Sequence, residues 1–339
     1  MIVLAVDGGN SKTDLALARA DGTLLSLVRG PLSSPHHIGV DGCLHVLESL
    51  LDEAMREAGL ARAGWPVAEA AQLLLAGVDF PSEERDVLER ITERGWATRV
   101  RVGNDTLAVL RAGTERGWGV AVVCGAGINC VGVAPDGRET RFPALGAITG
   151  DWGGGHDVGT AALSAAARSE DGRGDPTTLE HAVPAHFGLR APAEVAEAIH
   201  RGRIDERRVI ELAPIVFAEA GHDAVAAGIV ARLADEVATM ARVALQRLDL
   251  SAEPVEVLLG GGLVRAGNGA LVAAVEAGLR EVGPTITVRA AASPPIVGSA
   301  LLALDELGAG TEAQERLRQA LGEAVAQLEE RRLAGATRG

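Results

Sequence analysis

One supersecondary pattern occurs twice in the first half of the chain and constrains the fold more than any other feature. The first copy has an apolar strand (2–6), a glycine-rich loop (Asp7–Thr13), an alternating strand (14–19), the turn Asp21–Gly22 and a third strand (23–28). An unbroken apolar run is typical of a buried strand, and Asp-Gly between two strands favours a tight hairpin turn.

The second copy begins near residue 120 and keeps the same order. Its parts are a strand (120–123), the glycine-rich loop Cys124–Asn129, a strand (130–134), the turn Asp136–Gly137 and a strand (138–142). Hairpins with Asp-Gly turns are common by themselves, but the shared order and near-equal spacing indicate an internal duplication. We therefore expect an α/β chain with two similar domains that face each other across a cleft.

Helices and strands alternate in the remainder of the chain. The spacing of apolar residues predicts helices over 41–59, over 82–94 with Ser82 as N-cap, from 106 onward, and after Gly260–Gly262 from about Asn268. Glycines and charges near 113–117 suggest a boundary. We expect an N-terminal domain over 1–113, a C-terminal domain with helical insertions over 114–310, and a C-terminal helix and tail over 311–339.

Composition excludes several classes of partner. The net charge of −14 repels nucleic acid and anionic membrane surfaces. No window of roughly 18 apolar residues predicts a membrane span, and no basic segment precedes the apolar residues 2–6. The three cysteines form no CxxC pair, which favours a reducing compartment. We expect a cytoplasmic protein with no nucleic-acid or membrane partner.

The first glycine-rich loop contains the groups that a polyphosphate site needs. Gly8 and Gly9 allow close approach of an anion to the backbone, and Asn10, Ser11 and Thr13 add polar groups. Lys12 is the only lysine of the chain and supplies a compact positive charge. Asp7 follows a buried strand and can hold a hydrated magnesium ion. The alternatives are a turn that only needs glycines and a genome that favours arginine codons.

Two further glycine-rich segments support the same interpretation. Gly125, Ala126 and Gly127 form a second turn rich in backbone N–H groups, which could bind phosphates with the first. Gly261 and Gly262 follow a strand and precede a helix, so they could form a floor for adenine or ribose. Taken alone, this last segment is better explained as an ordinary strand-to-helix connection.

Two aspartates are candidates for the reacting groups. Asp105 lies between a strand and a helix, where open α/β sheets bind ligands, and could accept the proton of a hydroxyl group that attacks a phosphate. Asp151 lies in a glycine-rich segment and could bind sugar hydroxyls. A helix N-cap is the alternative role for each. His36 and His37 are adjacent and lack the spacing of a helical metal pair.

Six segments, in chain order, resemble the motifs of the actin-like ATPase superfamily, in the form used by N-acetylglucosamine kinases and BadF-type ATPases. Asp7–Thr13 resembles the first phosphate motif, Gly125–Cys130 the second, and Gly260–Gly262 the adenosine motif. The other three resemble an amino-sugar loop (Ser34–Gly39), the segment of a catalytic aspartate (Asn104–Asp105) and a sugar segment (145–153). The family usually has Thr where this chain has Ala126, and Glu where it has Trp152.

This resemblance implies two ribonuclease-H-like domains that close on ATP, magnesium and a sugar, and a homodimer as the common state. It implies an ATP-dependent kinase for an amino sugar, with N-acetylglucosamine at its 6-hydroxyl as first candidate and glucosamine or another hexose next. Asp105 would be the catalytic residue. The expected sugar contacts are His36, His37, Asp79, Asn104, Asp105, Gly146 and Asp151. The alternatives are a BadF-type activator ATPase, in which cysteines hold an iron–sulfur cluster, and a non-catalytic sensor.

Overall fold

The computed structural model describes residues 1–61, 66–266 and 269–336. These residues form two units, one made of Met1–Trp118 together with residues from Ala291 onward, and one made of Gly119–Ala290. The first boundary between the units therefore lies after Trp118, whereas the sequence predicted it after residue 113. The segment from Ala291 was expected in the second domain or as a separate tail, but it packs with the first unit instead.

The first unit contains a five-stranded mixed sheet. Its strands are β1 (Ile2–Gly8), β2 (Thr13–Arg19), β3 (Leu24–Gly30), β4 (Ala68–Leu75) and β5 (Ala97–Asn104), in the order β3-β2-β1-β4-β5. The hairpin strands β1, β2 and β3 pair antiparallel, while β1, β4 and β5 run parallel. The N-terminal glycine-rich loop is thus the β1–β2 turn.

The second unit repeats this topology strand for strand. Its strands are β6 (Gly119–Cys124), β7 (Ile128–Val133), β8 (Glu139–Arg141), β9 (Glu256–Gly260) and β10 (Thr287–Ala290), in the order β10-β9-β6-β7-β8. The strands β6, β7 and β8 pair antiparallel, and β6, β9 and β10 run parallel. The repeated pattern confirms the predicted internal duplication and the α/β class with two ribonuclease-H-like domains.

Helices cover both faces of the first sheet. They are α1 (Pro35–Glu57), α2 (Pro81–Arg94), α3 (Thr106–Gly113), α11 (Pro295–Glu306) and α12 (Thr311–Ala336). Large side chains of the strands, such as Leu4 and Leu15, pack with Leu44 and Leu47 of α1 in one core cluster. The alternate positions point to the opposite face, because strand side chains alternate in direction.

That opposite face is lined by small residues and is covered by the C-terminal segment. Ala5, Ala16 and Ala18 pack with residues of α11 and α12, including Leu301 and Leu321. Small side chains let a helix approach the strands closely, so alanines that carry little sequence signal define a second packing surface. This packing explains why the segment from Ala291 belongs to the first unit.

The second unit is richer in helix, as the sequence predicts. Its helices are α4 (Gly154–Glu170), α5 (Leu179–His186), α6 (Pro192–His200), α7 (Ala213–Glu219), α8 (Ala224–Arg247), α9 (Gly262–Ala266) and α10 (Ala270–Leu279), with 3-10 turns at Gly146–Ile148 and Glu206–Leu212. Asn268, the expected start of a helix, lies outside the described residues. No helix within the described ranges is long and apolar enough to cross a membrane.

Two helix starts differ from the predicted ones. Helix α1 begins at Pro35, six residues before the expected start, and contains a non-helical glycine, Gly39, at φ 71°. Helix α2 begins at Pro81, with Phe80 rather than Ser82 as N-cap. The Glu83 carboxylate accepts the backbone N–H of Phe80 at 2.9 Å, so a side chain inside the helix closes its first turn.

A glycine of α11 fixes the distance between α11 and α3, the helix that follows Asp105. A Cβ atom added to Gly298 would lie 1.9 Å from the carbonyl oxygen of Ala108. We expect Gly298→Ala to lower the free energy of unfolding by about 1–3 kcal/mol, because overpacking forces the backbones apart. Urea unfolding followed by circular dichroism measures this change.

The matched control is Gly322→Ala in α12, where an added Cβ meets nothing within 4 Å. Replacing an unhindered helical glycine by alanine stabilises by up to about 1 kcal/mol. Equal effects of the two substitutions would contradict the close approach of α11 to α3.

Candidate functional site

The β1–β2 turn presents an exposed tip on a closely packed base. The backbone N–H of Gly9 donates to the carbonyl of Lys12 at 2.9 Å, and Asn10 and Ser11 are exposed. A Cβ on Gly8 would lie 2.4 Å from Leu75 and 2.5 Å from the Ser33 hydroxyl. Neither Gly8 nor Gly9 has a positive φ. Close approach at Gly8, rather than a left-handed backbone, therefore explains the glycine here.

Thr13 has a structural role at the base of this turn. Its side chain is buried, and its hydroxyl donates to the Pro31 carbonyl at 2.7 Å and lies 2.8 Å from the Ser33 hydroxyl. These contacts tie the β1–β2 turn to the segment after β3. The Thr13 hydroxyl thus has a structural role in this arrangement, and a contact of Thr13 with a phosphate stays a prediction.

Lys12 lies among carboxylates. Its Nζ atom is 3.6 Å from Asp14 Oδ2 and 3.9 Å from Glu329 Oε1 of α12, and the side chain is partly exposed. Asp14 is itself held by Arg29, with Nε–Oδ1 at 2.5 Å and a second bond at 2.8 Å. The bidentate arginine satisfies the buried Asp14 carboxylate, so the Lys12 ammonium keeps capacity for another anion.

Asp7 is a carboxyl group at the end of β1. Burial, followed by repulsion from Asp105 and Asp14, raises its pKa to about 8, although Lys12 and Arg29 act in the opposite direction. A group with this pKa is largely protonated near neutral pH unless a cation approaches. Asp7 is therefore well suited to a site that fills with a divalent cation.

Asp105 lies at the N-cap position of α3 without acting as a cap. Its side chain makes no capping hydrogen bond. The Asn104 side-chain oxygen accepts the Thr106 N–H at 3.0 Å and the Thr106 hydroxyl at 2.7 Å instead. Burial and then repulsion from Asp79 raise the pKa of Asp105 to about 7. A carboxylate with this pKa can accept a proton near neutral pH.

Asn104 also fixes Asp79. Its side-chain amide donates to Asp79 Oδ1 at 2.8 Å and to the Val78 carbonyl at 3.3 Å, while the Asn104 side chain is almost fully buried. The backbone N–H of Asp79 donates to the carboxylate of Glu83 at 2.8 Å. One buried amide therefore orders both the helix start beside Asp105 and the carboxylate of Asp79.

Parallel pairing brings these groups to one edge of the first sheet. Gly8 of β1 pairs with Leu75 of β4, and Leu75 pairs with Asn104 of β5. The carboxyl ends of all three strands thus meet, and Asp7, Asp79 and Asp105 follow or end them. This is the edge at which open α/β sheets bind ligands.

The expected amino-sugar loop lies at the start of α1. His36 and His37 lie at the surface, and their rings are 5.3 Å apart in an edge-to-face arrangement. A Cβ on Gly77, which has φ of 75°, would lie 2.7 Å from both His36 Cβ and Ser34 Oγ. This loop therefore packs directly against the segment that leads to Asp79.

Ser34 is a polar group that sequence reasoning did not assign. Its hydroxyl is buried and finds no hydrogen-bond partner within the described ranges. An unpaired buried hydroxyl costs free energy, so it is a candidate contact for a bound hydroxyl or amide. The only available signal was its place inside the segment that resembles an amino-sugar loop.

In the second unit, the β6–β7 turn is held by the start of α4. Gly125 N–H donates to the Gly127 carbonyl at 2.9 Å, and the N–H groups of Gly155 and His156 donate to the carbonyls of Gly125 and Ala126 at 2.8 and 2.9 Å. An added Cβ on Gly125 or Gly127 would meet nothing within 4 Å. The turn is thus fixed from one side and open around these α-carbons.

The β9–α9 turn lies against the same β6–β7 turn. Gly261 has φ of 95°, and a Cβ there would lie 2.1 Å from the Cys124 carbonyl oxygen. Gly262 opens α9 with free space around its α-carbon. The structure therefore brings Gly125, Ala126, Gly127, Gly261 and Gly262 together at one edge of the second sheet.

The expected sugar segment of the second unit is a folded loop. The Gly146 carbonyl accepts the N–H groups of Gly150 and Asp151 at 2.9 and 3.0 Å, and the Thr149 hydroxyl donates to the Asp151 carboxylate. Trp152 lies beneath Arg232, whose Cζ atom is 4.0 Å from the ring centroid. The usual glutamate position is thus an aromatic surface with a cation on it.

The described residues offer a magnesium ion only a partial set of protein ligands. Within the described ranges, no group of three or more His, Cys, Asp or Glu residues could hold a metal. Magnesium commonly binds one or two carboxylates together with waters and phosphate oxygens. Asp7, whose pKa is raised by burial and by its neighbouring carboxylates, offers such a partial ligand set.

Comparison with known proteins gives a consistent result. The model of the BadF/BadG/BcrA/BcrD ATPase family matches residues 4–303. An N-acetylmuramic acid/N-acetylglucosamine kinase of Clostridium acetobutylicum is 28% identical over 77% of this chain and 85% of its own. An N-acetyl-D-glucosamine kinase of Dictyostelium discoideum is 24% identical over 90% and 98%.

A solved structure is also similar over most of its length. It is a candidate N-acetylglucosamine kinase from Chromobacterium violaceum, with a TM-score of 0.70 and 26% identity, covering 89% of this chain and 98% of its own. The likeness extends over both sheets, so it supports the same two-domain α/β fold.

The raised pKa of Asp7 predicts a pH-dependent stability. The ordinary value is 3.8 and the folded value is about 8. The protonated carboxyl therefore stabilises the folded state fully below about pH 4, and this stabilisation is lost as the pH rises towards 8. Between pH 5.5 and 8.5 the free energy of unfolding should therefore fall less in Asp7→Asn than in the unaltered protein. The difference should be about 1–2 kcal/mol once solvent screening is allowed for.

Urea unfolding without nucleotide or metal measures this difference at the two pH values. Asp86→Asn, which removes the same charge from an exposed position of α2, is the control and should keep the pH dependence of the unaltered protein. If Asp7→Asn behaved like the control, the burial and repulsion assigned to Asp7 would be wrong.

Proposed function

Because the chain belongs to the BadF/BadG/BcrA/BcrD ATPase family, we propose that it is an ATP-dependent kinase for an amino sugar. N-acetylglucosamine, phosphorylated at the 6-hydroxyl, is the first candidate, and both curated relatives carry this sugar in their names. The observation that carries the proposal is the state of Asp105. Its carboxyl is not used as a helix cap, and its pKa of about 7 suits a general base.

In the proposed reaction, Asp105 accepts the proton of the attacking sugar hydroxyl. The hydroxyl oxygen forms a bond to the γ-phosphorus of ATP as the bond to the β–γ bridging oxygen breaks, giving the sugar phosphate and ADP. Asp7 would hold magnesium through water, and the ion would neutralise phosphate charge. Asn104 would position Asp105 by fixing the start of α3.

We assign the glycine-rich turns to the nucleotide. Backbone N–H groups can bind phosphates even in an acidic chain, because local geometry outweighs net charge. The first phosphate contacts would come from Gly8, Gly9, Asn10, Ser11 and Lys12, and further contacts from Gly125, Ala126 and Gly127. Gly261 and Gly262 would support the adenosine. Thr13 keeps its buried structural role.

We assign the sugar contacts to residues of each unit. In the first unit these are His36, His37, Asp79, Asn104 and Asp105. In the second they are Gly146 and Asp151. Ala126 and Trp152 replace the usual polar side chains. We expect these two replacements to affect which sugar is preferred more than they affect the phosphoryl transfer itself.

An activator ATPase is a weaker candidate. That function needs cysteines that can hold an iron–sulfur cluster between subunits, whereas Cys43, Cys124 and Cys130, the only cysteines, are all buried. We also propose a cytoplasmic homodimer, on the basis of the family resemblance. Light scattering tests the oligomeric state.

The decisive experiment compares Asp105→Asn with the unaltered protein in a coupled ADP-release assay. We expect one amino sugar to stimulate ADP release, and the variant to lose about 10²–10⁴-fold in kcat while still binding nucleotide, since general base catalysis contributes this range. Asp86→Asn serves as the exposed control. Comparable turnover by Asp105→Asn would remove Asp105 from the catalytic role, and no stimulation by any sugar would refute the kinase.

Lys12 offers a test of the first phosphate contact. Lys12→Met should raise KM for ATP about tenfold or more, because a charge-assisted contact is worth about 1.5–3 kcal/mol. Lys12→Arg should restore little, because a planar guanidinium does not replace a compact ammonium. Steady-state kinetics at fixed sugar concentration measure both, and an unchanged KM in Lys12→Met would assign Lys12 to its carboxylate neighbours alone.

A further inference from the structure

The last helix, α12, crosses the first sheet from one edge to the other. Near its start, a Cβ on Gly22 in the β2–β3 turn would lie 2.1 Å from the carbonyl oxygen of Ala313. Arg316 donates to the Asp21 carbonyl of the same turn at 2.8 Å. The stretch from Ala313 to Glu329 rises about 24 Å, and the seven residues of β2 span about the same length. The end of α12 therefore reaches the edge that carries the β1–β2 turn.

The face of α12 that packs on the sheet ends in a carboxylate. Leu317, Leu321 and Val325 are spaced four residues apart, are buried, and belong to the core cluster that contains the strand alanines. Glu329 is the next position on this face, because residues four apart lie on one side of a helix. Its side chain is 58% exposed. A charged group thus follows three apolar ones at the point where α12 meets the β1–β2 turn.

The Glu329 carboxylate lies beside two basic groups. Its Oε1 atom is 3.9 Å from Lys12 Nζ and 3.9 Å from Arg29 Nη1. Arg29 already binds Asp14 through two contacts at 2.5 and 2.8 Å, whereas Lys12 is 3.6 Å from the same carboxylate. Because the bidentate contact satisfies Arg29, Lys12 is the cation on which Glu329 acts most strongly.

Glu329 balances the charge of this group of side chains. Lys12 and Arg29 carry two positive charges, and Asp14 and Glu329 carry two negative charges. Without Glu329, one positive charge would remain unpaired among these four side chains. The neighbouring Asp7 is the proposed magnesium ligand, and the charge of the ion would offset that carboxylate.

A nucleotide phosphate and the Glu329 carboxylate would use the same ammonium group. The Lys12 and Glu329 side chains are both partly exposed, and an exposed ion pair contributes little stability. A phosphate carries more charge and accepts several hydrogen bonds, so it can displace the carboxylate. The displaced contact would then reduce the affinity for the nucleotide.

We propose that Glu329 is an internal competitor for Lys12. The end of α12 pairs with the ammonium in the absence of nucleotide and is displaced from it when nucleotide binds. The proposal rests on the proposed assignment of Lys12 to a phosphate, and it gives the C-terminal helix a role in setting nucleotide affinity besides covering the sheet. If Glu329 instead positioned Lys12 for the phosphate, its removal would have an effect of the opposite sign.

Calorimetric titration with a non-hydrolysable ATP analogue (AMPPNP) and magnesium, in the absence of sugar, tests the proposal. Glu329→Gln should lower Kd about two- to fivefold, the range expected for the loss of one exposed ion pair. The difference should shrink at high salt, which screens the pair. Glu330→Gln is the matched control, because it removes the same charge from an exposed position on another side of α12, and it should leave Kd unchanged.

A second comparison repeats Glu329→Gln in a Lys12→Met background. If Glu329 acts by occupying Lys12, the substitution should change Kd little there. An equal gain in both backgrounds would mean direct repulsion of the phosphates and would overturn the proposal, as would a higher or unchanged Kd in Glu329→Gln alone. Should no sugar stimulate ADP release, the kinase function fails, but these titrations still test the competition. Should Lys12→Met bind the analogue as well as the unaltered protein does, the competition fails while the kinase function can still hold.

Discussion

The parallel pairing of β1, β4 and β5 is the constraint on which the first unit depends. It aligns the carboxyl ends of three strands and so gathers Asp7, Asp79 and Asp105 at one edge. Burial is the main cause that raises the pKa values of Asp7 and Asp105 to about 8 and 7; repulsion from Asp105 and Asp14 adds to the shift of Asp7, and repulsion from Asp79 to that of Asp105. Such an arrangement is unfavourable until a cation or a proton arrives, and this is the property that a metal-assisted phosphoryl transfer uses.

Packing on both faces of the first sheet stabilises the edge at which these three carboxyl groups lie. Large side chains meet α1 on one face, whereas alanines admit α11 and α12 on the other. Gly298 lets α11 approach α3, and Arg111 of α3 binds Asp305 of α11 with contacts of 2.8 and 3.2 Å. The helix that begins after Asp105 is thus held by a segment 194 residues later in the chain.

Local patterns were sufficient to predict the elements that the duplication encodes. Both hairpins, both glycine-rich turns and the position of Asp105 after a strand follow from neighbouring residues. Contacts between distant residues were not predictable in the same way. The bond from the Thr13 hydroxyl to the Pro31 carbonyl gives Thr13 a structural role that its place in the loop did not predict. The return of residues after Ala291 to the first sheet depends on alanines whose side chains give little periodic signal.

A glycine in a loop suggests either a left-handed backbone or close approach of another group, and only tertiary packing decides between them. Gly8 needs close approach to Leu75, while Gly261 combines a positive φ with contact to Cys124.

The composition of the chain limits which of its groups could bind an anion. With a single lysine, most positive charge is on arginines, whose broad guanidinium groups suit open surfaces better than a crowded phosphate turn. The proposed phosphate contacts at the turns are therefore backbone N–H groups, Lys12 and a metal ion. Arginines instead form bidentate clamps, as in Arg29 with Asp14, or line a cavity, as Arg168 and Arg232 do. In this acidic chain, these arginines thus pair with a carboxylate or line a cavity, which leaves Lys12 and backbone N–H groups as the proposed phosphate contacts.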